Sequence, residues 1–133
     1  MADSTTYTLG IGRRKTATAR VKLTPAAKTS IMVNGVPGGE YFRTADRQAI
    51  PLDPLGLDEV DGTFTIEAKV QGGGVTAQAE AIRMGVARAL TLSAENLRKP
   101  LKAAGYLKRD PRAVERKKPG LLKARKKPQW SKR

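Results

Sequence analysis

The chain has 133 residues, with 26 Lys or Arg against 12 Asp or Glu, a net charge of +14, and neither cysteine nor histidine. That length suits one domain with a modest core. The two missing residue types exclude disulfides, thiol nucleophiles, the usual zinc and copper ligands and imidazole acid–base chemistry, leaving only carboxylate, lysine or hydroxyl groups for any catalysis. No stretch nears the roughly 18 apolar residues of a membrane span. Met1 to Thr8 also lacks the basic and apolar regions of a secretion signal, so a reducing, cytoplasm-like compartment is expected.

The charge is concentrated. Residues 98–133 hold 15 Lys or Arg against Asp110 and Glu115, a net +13, whereas residues 1–97 sum to +1. Such a run repels itself and cannot collapse into a core, and it gains most from a polyanion whose condensed counterions it releases. The chain therefore divides into a foldable body, 1–97, and a basic extended tail, 98–133.

In chain order, Tyr7–Gly12 and Ala17–Leu23 alternate with period two and read as strands, joined by a hairpin-like connection that groups Arg13, Arg14 and Lys15. Ser30–Val33 is a third short strand ending at the turn dipeptide Asn34-Gly35, and Pro37 to Gly39 extend that loop. Glu40–Gln48 fits a short helix, and Pro51, Asp53-Pro54 and Gly56 then impose irregular structure to about Leu57. Thr63–Val70 is a fourth strand, closed by Gly72, Gly73 and Gly74. The longest helix follows over Val75–Leu92, with Val75, Ala79, Ile82, Val86, Ala89 and Leu90 on one stripe. Pro100 opens a one-turn helix ended by Gly105, and Asp110-Pro111 reads as a cap followed by a first-turn proline. Four strands and a long helix, apolar on one face, predict an α+β fold: a two-layer α/β sandwich in which a mixed four-stranded sheet packs on helices.

Several groups invite a functional reading. In the tail, clusters of cations separated by Pro119, Gly120 and Pro128 suit an extended track along nucleic acid, and Trp130 stands among charges where a base could stack on it. The alternative is a solvated arm that confers solubility or acts as an address. Gly72 to Gly74 could cradle phosphate with free backbone N–H groups, or could be a turn where side chains would clash. Arg13, Arg14 and Lys15 repel one another unless an anion neutralises them, and Gly10 and Gly12 leave room for close backbone approach, which favours phosphate over a solvated loop. Asp53, Asp58, Glu59 and Asp61 lack ligand-like spacing and read as solvated turn residues, so no metal or other cofactor is expected. Two rival functions stay open. One is a small phosphotransferase using the glycine loop, which lacks an evident base and a metal carboxylate pair. The other is a DNA-compacting basic protein.

Gly10-Ile11-Gly12-Arg13-Arg14-Lys15-Thr16-Ala17 near the start resembles ribosomal protein family nine of the bacterial small subunit. So do Val33-Asn34-Gly35, the Gly72 to Gly74 loop, Leu107-Lys108-Arg109-Asp110, Arg116 to Gly120 and the final Pro128-Gln129-Trp130-Ser131-Lys132-Arg133, so the likeness runs from about Tyr7 to Arg133. It implies a two-layer body with a left-handed βαβ crossover, no enzymatic activity, a place in the head of the small ribosomal subunit, and partners in small-subunit ribosomal RNA, peptidyl-site tRNA and neighbouring head proteins. With that placement, the residues expected to bind rRNA are Arg13, Arg14, Lys15, Gly72, Gly73, Gly74, Arg109, Arg112, Arg116, Lys117, Lys118, Lys123, Arg125, Lys126 and Lys127. Ser131, Lys132 and Arg133 match the family's tRNA-contacting end. Trp130 replaces the usual Phe or Tyr, and Pro100 breaks what is commonly a continuous turn. Fully extended, residues 120–133 span at most roughly 45 to 50 Å, enough to cross a packed RNA layer.

Overall fold

The computed structural model describes residues 7–131. It is a mixed α+β structure in two layers. The strands β1 (Thr8–Arg14), β2 (Ala17–Ala26), β3 (Ser30–Val33), β4 (Val36–Pro37) and β5 (Thr63–Gln71) form one sheet in the order β1-β2-β5-β3-β4. All neighbours are antiparallel except β3 and β5. Between that parallel pair run α1 (Gly38–Phe42), α2 (Ala45–Ala49) and a 3₁₀ helix over Ile50–Gly56; α3 (Val75–Ser93) and α4 (Arg98–Ala103) follow β5.

The sheet has five strands rather than the expected four. Asn34 and Gly35 both take positive φ, 51° and 82°, which is the geometry of a two-residue hairpin turn, so Val36-Pro37 folds back onto Met32-Val33 instead of remaining loop. Asn34 also extends the sheet with its side chain. Its Nδ2 donates to the Val70 carbonyl at 3.1 Å, while its Oδ1 accepts from the Val70 N–H at 2.9 Å.

Alternation decides which sheet face is buried. In β2 and β5 the inward set Ala19, Val21, Leu23, Ile66, Ala68 and Val70 packs on α3, and the outward set is polar or charged. Helix α3 is rich in alanine, the strongest helix former, and its small side chains let it lie unusually close to β1. A Cβ placed on Gly10 would lie 2.0 Å from the Gly85 carbonyl oxygen, and one on Gly12 would lie 1.7 Å from that of Ala81. These two glycines thus admit a helix. They were expected to leave room for phosphate, and that expectation is corrected.

Other boundaries shift for identifiable reasons. Strand β1 continues through Arg13 and Arg14, so the hairpin connection is only Lys15-Thr16, with Lys15 at φ 52°. The expected Glu40–Gln48 helix is two short ones, interrupted where Arg43 adopts φ 60°. Pro51 sits at the first turn of the 3₁₀ helix, where a missing N–H costs nothing, and both Pro51 and Pro54 are buried. Val75 is exposed at the start of α3; Ala77 and Ala81 are buried in its stead because the helix lies between the sheet and the 3₁₀ segment. Arg98, not Pro100, opens α4, and Leu101 is fully buried beneath it. No helix follows Asp110-Pro111. The Asp110 carboxylate instead accepts the Arg112 backbone N–H at 2.9 Å, closing a local turn.

Candidate nucleic-acid interface

Three sequence-predicted features meet at one end of the sheet. The tight β1–β2 turn presents Lys15 and Thr16. Gly72 and Gly73, at φ 79° and 67°, close over that turn, and a Cβ on Gly72 would stand 2.5 Å from the Thr16 carbonyl oxygen. The first two glycines therefore answer to backbone packing; Gly74 forms the start of α3, where Gln78 Nε2 donates to the Gly72 carbonyl at 3.1 Å. The third feature arrives from the far end of the chain. Arg109 Nη2 donates to the Lys15 carbonyl at 3.3 Å, bringing the beginning of the basic segment onto the turn.

Arg14 has a different role from its neighbours. Its side chain is only 13% exposed. Its Nε pairs with Glu80 of α3 at 2.6 Å, and its Nη1 pairs with the Asp110 carboxylate at 3.1 Å. The same Nη1 donates to the carbonyl oxygens of Asp110 and Arg112, at 3.2 and 3.0 Å. A guanidinium offers several donors in a fixed plane, so one side chain can bridge helix and arm where an ammonium could not. Arg13 and Lys15 lie exposed on either side. The sequence suggested three equivalent cations; the structure separates one internal clamp from two outward-facing charges.

Asp110 is held from two sides. Arg112 donates to it from Nε, from Nη2 at 2.6 Å and from its backbone, which holds the carboxyl well below the usual carboxylate range, with Arg14 adding to the effect. Reciprocally, Asp110 raises the Arg112 guanidinium. Arg83 closes the neighbourhood, pairing with Asp53 at 3.5 Å and standing over the Tyr106 ring at 5.5 Å. The sequence marked Asp110 only as a helix cap, although an acid inside so basic a segment must meet a cation. Nothing in the spacing of α3 marked Glu80.

Residues 108–131 form neither helix nor strand, and Arg116, Lys117, Lys123, Lys126 and Lys127 are exposed along them. Glu115 gathers Lys118 and Arg125, the latter at 2.8 Å, and these hydrogen bonds lower its carboxyl from the ordinary value. The Leu122 N–H donates to the Lys126 carbonyl at 2.8 Å, bending the segment locally. Trp130 is 82% exposed. Ser131 is the last described position; Lys132 and Arg133, assigned to the tRNA-contacting end, lie outside the described residues. Among the described residues no cluster of three or more His, Cys, Asp or Glu is placed to hold a metal ion, and no helix is long and apolar enough to cross a membrane.

An α+β body that brings cations from strand turn, helix and basic segment to one sheet end has the charge arrangement that suits a polyanion. The model of the family described as ribosomal protein S9/S16 matches residues 12–133, and the chain belongs to that family, a ribosomal and structural one rather than an enzymatic one. It is 56% identical over 128 residues to the small ribosomal subunit protein uS9 of Gloeothece citriformis, with 93% of this chain and 90% of the relative covered. The uS9 of Synechocystis is 57% identical over 129 residues with the same coverage. That of Tropheryma whipplei is 50% identical over 125 residues, covering 93% of this chain and 80% of the relative. With the family established, the phosphotransferase and DNA-compacting readings fall away.

Proposed function

We propose that this chain is a structural component of the small ribosomal subunit that binds ribosomal RNA through the sheet end and the basic segment together. The observation that carries this is the convergence of Lys15, the Gly72 to Gly74 loop and Arg109, which sets the start of the segment beside the cationic turn. Arg13, Lys15, Arg109 and Arg112 would meet phosphates at the body, and Arg116, Lys117, Lys118, Lys123, Arg125, Lys126 and Lys127 would do so along an extended arm. Arg14 would act indirectly by aiming that arm. The body then extends to Leu107, since Leu101 is in the core and Tyr106 and Leu107 pack against it, and the arm is 108–133. Phosphate contacts fix register without reading bases, so recognition rests on RNA shape and position.

The same reading places Ser131, Lys132 and Arg133 against the anticodon stem-loop of peptidyl-site tRNA, with Trp130 available to stack, and the body among neighbouring proteins of the subunit head. The test is direct. A tagged chain should sediment with small subunits on a sucrose gradient, and subunits lacking residues 131–133 should assemble yet release peptidyl-site tRNA faster. Unchanged tRNA dissociation would remove the tRNA assignment, and absence from the subunit peak would remove the whole reading.

A further inference from the structure

The outward face of the sheet carries a shallow groove of about 680 Å³, away from the cationic end. Its floor is crossed by two rows fixed by strand register. One runs Ile11, Arg20, Lys69 across β1, β2 and β5; the other runs Leu9, Lys22, Glu67 and Met32, reaching β3. Two features are unfavourable in the isolated chain. Arg20 and Lys69 stand directly opposite each other, a like-charge pair that a sheet normally avoids. Leu9 and Ile11 are 58% and 45% exposed on the same face, so apolar area is left in water beside the charges.

We infer that this face docks an acidic, apolar segment of a neighbouring protein in the subunit, an inference that rests on the ribosomal reading above. Carboxylates set between Arg20 and Lys69 would relieve their repulsion, and apolar side chains would cover Leu9, Ile11 and Met32 in one contact. RNA meets only half of this. Phosphates would neutralise the cations, but they would leave the aliphatic side chains wet, and the groove floor offers no aromatic ring on which a base could stack. Tyr7, outside the floor, is 49% exposed and already carries the Lys22 ammonium 4.3 Å from its ring centre.

The experiment uses the full-length chain assembled into small subunits. A photo-crosslinking phenylalanine analogue replaces Ile11, and in a control it replaces Leu92, exposed on the helical layer. Purification of the subunit peak comes first, so a chain absent from that peak exposes failure of the ribosomal reading before this one is judged. Within the peak, Ile11 should yield an adduct to a peptide in which Asp and Glu outnumber Lys and Arg. Combining Arg20→Glu with Lys69→Glu should cut that yield about ten-fold and leave the Leu92 product unchanged, because like charges facing a partner's carboxylates suppress its binding. If the double reversal fails to fold, Arg20→Gln with Lys69→Gln removes the same charges and should lower the yield about three-fold. Adducts to RNA, to a neutral or basic peptide or to this chain itself overturn the inference. So does the absence of any adduct at Ile11, or a yield indifferent to charge.

Discussion

Replacing Gly12 by alanine separates the two reasons a glycine could stand beside Arg13. The added Cβ would lie 1.7 Å from the Ala81 carbonyl oxygen and 2.6 Å from the Gly85 amide nitrogen, where ordinary contact begins near 3.4 Å. Both obstacles are helix backbone, so no rotamer change relieves them, and β1 must retreat from α3 by about 1.5 Å. Overpacking a core typically costs about 1–3 kcal/mol, and more when backbone must move; here the retreat also loosens Ala81 and Ala89 against the sheet, so about 3–5 kcal/mol is expected. That is a large share of the roughly 5–15 kcal/mol that holds a domain together. At about 4–8 °C per kcal/mol, the melting midpoint should fall by at least about 12 °C, read by circular dichroism on the purified chain. Gly56→Ala is the control. Nothing lies within 4 Å of its Cβ position, and it should shift stability by less than about 0.5 kcal/mol. A Gly12→Ala chain that melts within about 2 °C of the parent yet binds RNA poorly would refute the packing account and restore the phosphate one.

Arg14→Lys retains the charge but not the planar fork, so hydrogen exchange should rise over residues 108–114 while the sheet core stays protected; equal protection in both chains would deny Arg14 its clamping role. For RNA, if about 8 cations meet phosphates, log affinity should fall against log salt with a slope of roughly 5 to 7 in magnitude, and deleting residues 108–133 should bring it near 2. A full-length slope near one would mean the arm is not engaged. Lys69→Glu turns a like-charge cross-strand pair into an opposite one and should stabilise the free chain by about 0.5–1 kcal/mol in a denaturant melt, with a loss counting against the register argument. Finally, Asp110 has a depressed folded-state pKa, so its share of the arm's anchoring is fully present above the unfolded value of 3.8 and is lost only as pH falls through the lower folded value. Its carboxyl carbon should show no titration step near pH 3.8 in an NMR series, and a normal step there would mean that the Arg112 and Arg14 contacts do not form in solution.

The sheet and α3 were legible because each is a long periodic segment: the alternation in Ala17, Ala19, Val21 and Leu23 can bury only one face, and the register follows. What escaped depended on partners distant in sequence. Gly10 and Gly12 look like room for a ligand until a helix some seventy residues later is seen to occupy that room. Arg14, Glu80 and Asp110 belong to three segments, and no local pattern announces that a strand cation, a helix carboxylate and an acid of the basic segment converge. Val36-Pro37 was missed for the opposite reason. It is too short to show periodicity, and only the positive φ angles at Asn34-Gly35 make it a strand.

The placement of the acids explains how so basic a segment can leave the body in one direction. Residues 108–133 carry 12 Lys or Arg against Asp110 and Glu115, and ten net charges would repel one another and, unanchored, would sweep a wide volume. Asp110 is the acid nearest the body, and it is shared between Arg14, rooted in β1, and Arg112, in the segment itself. Glu80 completes the clamp from α3, so the four clamp groups Arg14, Arg112, Glu80 and Asp110 balance one another where the chain departs. Repulsion therefore acts on what lies beyond, pushing it outward from a fixed point. Glu115, the only other acid of the segment, holds Lys118 and Arg125 in a surface cluster exposed to water. Exposed pairs of this kind are worth about 0–1 kcal/mol and exchange readily for phosphate, whereas Arg14 is shielded and held by several contacts at once. On the proposed RNA-binding reading, a strong clamp at the root and weak pairing further out would let the arm order along nucleic acid without losing its aim.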